Sequence, residues 1–187
     1  MSSHHFVRED QEPALIIADV NGISLSLLNQ LLEWNPMVIL DRHSLDSVME
    51  LGIKADVLVA DEPVELPQDH IRILPIATSF LDTALNYLIK RRCRAANIVS
   101  THTMPDVLLR YAAKIQAVLL GNGRRVFTVK SGFAKWKPQG EKVFLYGNSA
   151  TEIKGLQPTG EREYLTETDG FYSIHFDQPY GLVGEQL

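Results

Sequence analysis

Residues 14–65 read ALIIADVNGISLSLLNQLLEWNPMVILDRHSLDSVMELGIKADVLVADEPVE, and this stretch decides the fold. Three short apolar runs, at residues 14–18, 37–40 and 57–60, alternate with two segments of helical spacing. Strands that alternate with helices over such short connections indicate βαβ units and a mainly parallel sheet. The stretch therefore predicts an α/β fold.

Each of the three apolar runs ends at or just before an aspartate. These residues are Asp19, Asp41 and Asp61. In an open parallel sheet, ligands bind outside the carboxyl ends of the strands. The acids thus lie where a cation or phosphate site would be built, although an aspartate that ends a strand is often only a cap for the next turn.

The same alternation continues beyond this stretch. Further strands are predicted at residues 71–75, 97–100 and 117–120, and helices at 79–92 and 105–115. The last strand closes at Gly121-Asn122-Gly123, which we interpret as the turn between two domains. The first domain is accordingly predicted to span residues 1–124.

The sequence changes in character after this turn. Helical spacing disappears, and short alternating runs follow at residues 125–130, 141–146, 151–154 and 172–176, separated by glycine and proline turns. This pattern is typical of an antiparallel sheet or sandwich. Residues 125–187 are therefore predicted to form a small β-sandwich-like domain, which should pack on the first domain or on a partner chain because so short a segment has little core.

Composition narrows the functional classes. The chain has 187 residues, 45% of them hydrophobic and 22% charged, as in ordinary globular proteins. The net charge of −5 gives no support to a nucleic-acid or anionic-membrane partner. The single cysteine, Cys93, excludes an intrachain disulfide framework, and no apolar run has the length of a spanning helix. We expect a cytoplasmic protein.

Four different short motifs follow one another along residues 40–85. Residues 40–43 (Leu-Asp-Arg-His) end one strand, residues 52–56 (Gly-Ile-Lys-Ala-Asp) follow a short helix, and residues 60–64 (Ala-Asp-Glu-Pro-Val) end the next strand. Residues 76–85 (Ile-Ala-Thr-Ser-Phe-Leu-Asp-Thr-Ala-Leu) then open a helix. This order of segments, more than its identities, resembles the thiamine pyrophosphokinases. The corresponding motifs of that family are Asp-Gly-Gly, Gly-Ile-x-Pro-Asp, Gly-Asp-x-Asp-Ser and Lys-Asp-x-Thr-Asp-x-Glu-x-Ala-Leu.

The resemblance implies a fold, an activity and a site. The fold is a mostly parallel, Rossmann-like sheet flanked by helices and followed by a small C-terminal antiparallel β domain. The activity is transfer of pyrophosphate from ATP to thiamine with Mg²⁺, in a homodimer joined largely through its β domains. By position, Asp41, Asp61 and Asp82 become the catalytic candidates, and Asp41 and Asp61 also the metal ligands. Arg42, His43 and Glu62 become candidates for holding ATP or a thiamine-like ligand.

The departures from the family motifs are chemical. Ala77, Phe80 and Pro63 stand where the family has carboxylates, and residues 101–106 lack the Gly-Gly-Arg of a further family loop. The glycine pair after Asp41 is also replaced, which removes a close backbone approach to phosphate. The fold is therefore expected to be inherited, and the catalytic site eroded or rebuilt.

Three hypotheses follow from these departures. The first is a thiamine pyrophosphokinase-like protein with lost or much weakened catalysis that still binds a nucleotide or a thiamine-like molecule. The second is an active kinase with divergent motifs. The third is a non-enzymatic, dimeric structural or regulatory protein that uses the fold alone. Each candidate also has a simpler explanation: Asp82, for example, lies in the first turns of a helix, where its charge complements the helix dipole.

Overall fold

The chain folds into two compact units, Met1–Thr101 and His102–Leu187, called here the first and the second unit. The computed structural model describes residues 12–61, 66, 68, 70–102, 105–147 and 150–187. The contact-based division comes earlier in the chain than the sequence-based boundary at residue 124. Whether residues 1–124 and 125–187 are domains in their own right stays a prediction.

The described residues of the first unit form five parallel strands. They are β1 (Ala14–Ile17), β2 (Val38–Asp41), β3 (Val57–Val59), β4 (Arg72–Leu74) and β5 (Ala95–Val99). Their order in the sheet is β5-β1-β2-β3-β4, so β1 lies between β5 and β2. The prediction of βαβ units and parallel pairing in this part of the chain is confirmed.

The described connections between these strands include three α-helices: α1 (Leu25–Leu32), α2 (Leu45–Glu50) and α3 (Phe80–Lys90). Serine caps begin two of them, because the hydroxyl oxygen of Ser24 accepts from Leu27 N and that of Ser79 accepts from Asp82 N. After α2, Gly52 adopts a φ of +68°, which ends the helix in the way that glycine favours.

Buried aliphatic side chains hold the first unit together. One cluster joins inward residues of β1 and β2, such as Leu15 and Leu40, to Leu28 of α1 and Val48 of α2. Every residue of β1 is buried, which is characteristic of a central parallel strand covered on both faces. Short runs of uniform hydrophobicity therefore became strands, as the sequence predicted.

The second unit begins with helix α4 (Asp106–Tyr111) and is otherwise built of strands in its described part. The strands are β6 (Gln116–Gly121), β7 (Arg124–Lys130), β8 (Phe133–Lys137), β9 (Lys142–Tyr146), β10 (Ala150–Lys154), β11 (Leu156–Pro158), β12 (Glu163–Thr166), β13 (Gly170–Phe176) and β14 (Tyr180–Gln186). A six-stranded antiparallel run has the order β11-β12-β9-β14-β7-β6, and a three-stranded sheet has the order β10-β13-β8.

The turn at Asn122-Gly123 joins two strands of the second unit. Strands β6 and β7 pair antiparallel, with Gly121 opposite Arg124, so the two residues between them form a tight hairpin inside the second unit. Both have positive φ, 52° for Asn122 and 70° for Gly123, as such a hairpin requires. The turn therefore does not separate the units.

The two sheets of the second unit share one core. Val183 of β14 and Val143 of β9 pack with Tyr172 and Ile174 of β13. The ring of Phe133 lies edge-on to that of Tyr172, with centroids 6.0 Å apart. This arrangement agrees with the predicted antiparallel β structure.

One acid lies inside this core. Glu185 has no exposed side-chain surface, and its carboxylate accepts hydrogen bonds from Arg125 Nε at 2.9 Å and from Lys135 Nζ at 2.7 Å. Lys137 Nζ lies 3.7 Å away, and the hydroxyl of Tyr172 donates at 3.4 Å. Three cations thus surround one buried carboxylate.

Two opposing influences act on this carboxyl. Burial alone would raise the pKa of Glu185, but the hydrogen bonds from Lys135 and Arg125 and the nearby positive charges outweigh it, so the pKa lies below its ordinary value. Burial and the neighbouring carboxylate together raise the pKa of Tyr172 far above its ordinary value. Glu185 is therefore ionised and Tyr172 neutral near pH 7.

Among the described residues, no helix combines the length and the apolar character needed to cross a membrane.

Candidate functional site

The carboxyl edge of the first unit's sheet brings together the predicted strand-end acids. Asp41 is the last residue of β2 and lies opposite Val59 of β3, and Asp61 follows β3 two residues later. Asp41 is half-buried and Asp61 is exposed. Adjacent parallel strands therefore carry both aspartates at one edge, where open sheets of this type bind ligands.

Asp41 organises the loop that follows it. Its Oδ1 accepts a hydrogen bond from His43 N at 3.0 Å, and a 3-10 turn (Arg42–Ser44) leads into α2. The hydroxyl of Ser44 donates to Ala18 O at 2.7 Å, which ties this loop to the end of β1. The Arg42 and His43 side chains are exposed beside Asp41. A short polar turn thus follows Asp41.

Asp61 reaches across to the segment after β4. Its Oδ1 accepts from Ile76 N at 2.8 Å, and the next backbone amide, Ala77 N, donates to the hydroxyl of Thr83 at 3.0 Å. Asp82, in the first turn of α3, accepts a hydrogen bond from the hydroxyl of Ser79 at 2.7 Å. The acid that opens α3 and the acid that ends β3 therefore flank the same connecting segment, residues 75–79. Glu62 lies outside the described residues.

Asp19 was noted as a strand-end acid but was not among the predicted catalytic, metal or ligand-binding residues. Its Oδ1 accepts from Asn21 N at 2.9 Å, and its Oδ2 accepts from the hydroxyl of Thr101 at 2.6 Å. A Cβ at Gly22 would lie 2.7 Å from the backbone of Ser100, so only glycine fits there. The Asp-x-Asn-Gly motif after the first strand could have pointed to Asp19. The hydrogen bond from Thr101, 82 residues away, could not be read from the sequence.

These acids offer limited means of holding a metal. No group of three or more His, Cys, Asp or Glu side chains that could hold a metal ion occurs within the described ranges. Asp41 and Asp61 each commit one carboxylate oxygen to a backbone amide, and the second oxygen makes no hydrogen bond to the described residues. Because Mg²⁺ is often held by one or two carboxylates together with phosphate oxygens, this pair fits a phosphate-dependent magnesium site.

A cavity lies at the opposite, amino edge of the same sheet. It has a volume of about 700 Å³ and is lined by residues that include Val38, Asp56, Arg72, Tyr87 and Arg91. Its acid is used structurally, because Asp56 Oδ2 accepts from Val38 N at 2.8 Å. Arg91 follows the end of α3, where a cation complements the negative end of the helix dipole. The positions of Asp56 and Arg91 therefore have structural explanations that need no ligand.

Solved structures similar to this chain include several thiamine pyrophosphokinases. The enzyme from Bacillus subtilis matches with a TM-score of 0.68 and 12% identity, over 93% of this chain and 98% of that one. The enzyme from Candida albicans matches with a TM-score of 0.66 and 9% identity, over 95% and 92%. That from Geobacillus thermodenitrificans gives 0.63 and 12%, over 93% and 97%.

No protein-family model matches the chain, and no curated protein sequence matches it. At 9–12% identity, these structural matches establish the fold alone. The resemblance found in the order of the sequence motifs is thereby confirmed at the level of the fold. The roles of individual residues stay predictions.

Proposed function

We propose that this chain is a diverged thiamine pyrophosphokinase-like protein that binds a nucleotide or a thiamine-like ligand at the carboxyl edge of its first unit. Pyrophosphoryl transfer from ATP to thiamine is absent, or lies orders of magnitude below that of an intact enzyme. The observation that carries the proposal is the pair Asp41 and Asp61, which end neighbouring parallel strands in a fold similar to that of these kinases.

The binding half of the proposal rests on what this edge retains. Asp41 and Asp61 each have one carboxylate oxygen without a hydrogen bond to the described residues, and the cationic side chain of Arg42 is exposed beside them. Phosphate oxygens of ATP would complete the coordination of a Mg²⁺ ion held by these two acids. Mg²⁺ would then neutralise charge on the phosphates, and Arg42 would add a second positive group.

The catalytic half rests on what the edge has lost. Residue 77 is an exposed alanine whose backbone amide is bound by Thr83, and residue 80 is a phenylalanine at the first position of α3. By resemblance, both positions hold carboxylates in the kinases. Transition-state charge in phosphoryl transfer is stabilised by metal ions and placed polar groups, and one missing group typically costs about a hundredfold in rate.

The proposal is tested by separating binding from turnover. Isothermal titration of the full chain with ATP and Mg²⁺, and with thiamine, measures binding, and chromatographic assay of thiamine diphosphate measures transfer. We expect binding that weakens at least tenfold in the Asp41→Asn/Asp61→Asn variant, with no turnover approaching one per second. Asn keeps the oxygen that accepts from the backbone, so the loops should stay intact.

The matched control is Asp177→Asn, which removes an exposed acid of the second unit. Its binding should equal that of the parent chain. Turnover at several per second would overturn the catalytic half of the proposal. Failure of ATP, Mg²⁺ and thiamine to bind at all would overturn the binding half and support the non-enzymatic alternative.

We also propose that the chain is a homodimer joined through its second unit. Phe171 of β13 lies directly opposite Trp136 of β8, and both side chains are exposed, by 72% and 52%. Two adjacent aromatic side chains on one outer sheet face form the kind of surface that associates with another protein.

Light scattering tests the dimer. The parent chain should give twice the monomer mass of 21.0 kDa at micromolar concentration, and Trp136→Ser/Phe171→Ser should give the monomer mass. Leu109→Ser, which removes an exposed apolar side chain of α4, serves as the control and should leave the dimer intact. A monomeric parent chain would contradict the proposal.

A further inference from the structure

The second unit has a shallow trough on the outer face of its six-stranded run. Its volume is about 270 Å³, and it is lined by Pro105, Arg124, Phe144, Tyr146 and Arg162. Phe144 and Tyr146 alternate along β9 with Val143 and Leu145, which face the core between the two sheets. The trough therefore lies on the side of the run away from that core.

Strand register arranges the trough around a central pair of rings. Phe144 lies opposite Glu163 of β12 on one side and opposite Gly184 of β14 on the other. Arg162 immediately precedes β12, and its carbonyl accepts from Leu145 N at 3.0 Å. Arg124 begins β7, the strand beyond β14. Two arginines therefore stand on either side of an aromatic floor.

Gly184 makes this floor possible. A Cβ there would lie 2.9 Å from Cε2 of Tyr146 and 3.1 Å from Cβ of Phe144. The first distance is too short for real atoms and the second is tight, so a side chain would push the rings outward. The bare backbone of β14 lets both rings lie across it. Phe144 and Tyr146 are consequently almost fully buried, although they belong to the outer face.

The polar side chains of the trough make few contacts with the described residues. The guanidinium carbon of Arg124 lies 3.8 Å from the centroid of the Phe144 ring. Within the described ranges, neither Arg124 nor Arg162 forms an ion pair, and the hydroxyl of Tyr146 makes no hydrogen bond. No described side-chain polar atom is both buried and unpartnered, so that hydroxyl is open to solvent.

Stacking prepares Arg124 for an anion. A guanidinium that lies over the face of a ring still has N–H donors that can meet phosphate or carboxylate oxygens in bidentate geometry. Arg162 supplies a second fork from the other side of the floor. Among the described residues that line the trough, Arg124 and Arg162 carry two positive charges without an ion pair, in a chain whose overall charge is −5. The neighbouring Glu163 is already paired with Lys142.

We propose that this trough binds the phosphate or diphosphate group of a small molecule, with phosphoryl oxygens between Arg124 and Arg162 and the Tyr146 hydroxyl donating to the ligand. Its volume is at the lower end of small-molecule pockets, which suits a diphosphate group or the phosphate end of a nucleotide. The proposal uses residues of the second unit alone. It is independent of the function proposed for the carboxyl edge.

The test measures binding of inorganic diphosphate and of AMP to the full chain by isothermal titration, in the absence of Mg²⁺. Omission of the metal separates this site from the one proposed at the carboxyl edge. Both dissociation constants should rise at least tenfold in Arg124→Gln/Arg162→Gln. Arg94→Gln, which removes an exposed arginine of the first unit, should stay within twofold of the parent chain.

Two further measurements distinguish recognition from simple charge attraction. The variant Arg124→Lys/Arg162→Lys keeps both charges but loses the forked donors, so it should bind several-fold more weakly than the parent chain. In NMR spectra, the Nε–H resonances of the two arginines should shift on titration, and assignment follows from the single variants. Circular dichroism confirms that each variant is folded.

The outcomes are decisive in either direction. Tighter binding of AMP than of diphosphate assigns the trough to a nucleotide, and the reverse order assigns it to free diphosphate; both uphold the proposal. If neither diphosphate nor AMP binds the parent chain at millimolar concentration, the proposal is overturned. Binding that is unchanged in Arg124→Gln/Arg162→Gln would overturn it equally, because the anion would then lie elsewhere.

Discussion

The acids of the first unit's carboxyl edge and the buried acid of the second unit differ in how their charge is used. Asp41 and Asp61 are accessible, and each accepts a hydrogen bond from one backbone amide of a nearby loop. Glu185 is completely buried and bonded to Arg125 and Lys135. The carboxylates at the edge can therefore still contact a ligand, whereas the Glu185 carboxylate is fully occupied by contacts within the second unit.

Buried and exposed carboxylates also differ in what the loss of a partner costs in free energy. A buried carboxylate without partners is costly, and removal of one member of a buried ion cluster leaves uncompensated charge behind. An exposed carboxylate is solvated by water whether or not it has a partner. The comparison predicts that changes at Glu185 affect stability strongly, while changes at the exposed acids affect ligand binding.

The largest expected effect follows from Glu185→Gln. Loss of the negative charge leaves Arg125 and Lys135 without the carboxylate that binds them, while Lys137 keeps only Glu141 at 3.5 Å. We expect the free energy of unfolding to fall by about 3 kcal/mol. Urea denaturation measures this change. Glu163→Gln removes the partially exposed partner of Lys142 and should cost less than about 1 kcal/mol. Equal losses in the two variants would break the comparison.

The same cluster should make stability depend on acid. Because the pKa of Glu185 is lower in the folded chain than its ordinary value of 4.5, its contribution is fully present above that value and is lost as the pH falls through the folded-state pKa. The difference in unfolding free energy between the parent chain and Glu185→Gln should be constant from pH 6 to pH 8 and shrink below about pH 4.5. Urea titrations at several pH values measure it. If the difference in unfolding free energy grew as the pH fell, the pKa of Glu185 would be raised in the folded chain and not lowered.

A smaller effect is expected where the strand-end loops of the first unit meet. Gly22→Ala places a methyl group 2.7 Å from the backbone of Ser100, so the loops must separate, at a cost of about 1–3 kcal/mol. Gly160→Ala meets only the Cβ of Glu163 at 3.7 Å and should be nearly neutral. Thermal unfolding of the two variants gives the comparison, and a neutral Gly22→Ala would show that this contact is loose.

The smallest effect is expected at a surface pair. The hydrogen bond from Lys154 and its positive charge lower the pKa of Glu152, so Lys154→Gln should raise that pKa toward its ordinary value of 4.5. NMR titration of the Glu152 side chain detects the change, and thermal unfolding should not. A measurable loss of stability would show that exposed charge matters more in this protein than the comparison allows.

The fold of the first unit could largely be predicted, because local pattern sufficed. The apolar runs at residues 14–18, 37–40 and 57–60 became β1, β2 and β3 within one residue at each end. The helix predicted at residues 79–92 is α3 (Phe80–Lys90). Helix and strand periods are properties of neighbouring residues, so a sequence reveals them directly.

The second unit was less predictable, because long-range contacts override its local pattern. Strand β8 was not predicted, since its inward positions Lys135 and Lys137 look like surface residues until Glu185 is found opposite them. Strand β14 was missed because of its glycines. A Cβ at Gly181 would lie 2.2 Å from the ring of Phe176, so that glycine is set by packing and not by a turn.

The carboxyl edge of the first unit was predicted only in part, because some of its contacts join residues that are far apart in the sequence. That Asp41 and Asp61 belong to one edge follows from parallel pairing, which the alternation of strands and helices implies. The bond from Thr101 to Asp19, and the amide of Ile76 that binds Asp61, depend on loops that only the folded chain brings together.

By itself, the sequence determined that this chain has parallel βαβ units followed by antiparallel strands, with acids at the strand ends. Only the tertiary structure decided which charges are buried, paired or available. Arg125 and Lys135 lie 60 and 50 residues from Glu185, and the trough of Arg124, Phe144 and Arg162 needs a glycine from β14. Hydrophobic spacing is a local property of the chain, but the energy of a charge depends on the distant groups and the solvent around it.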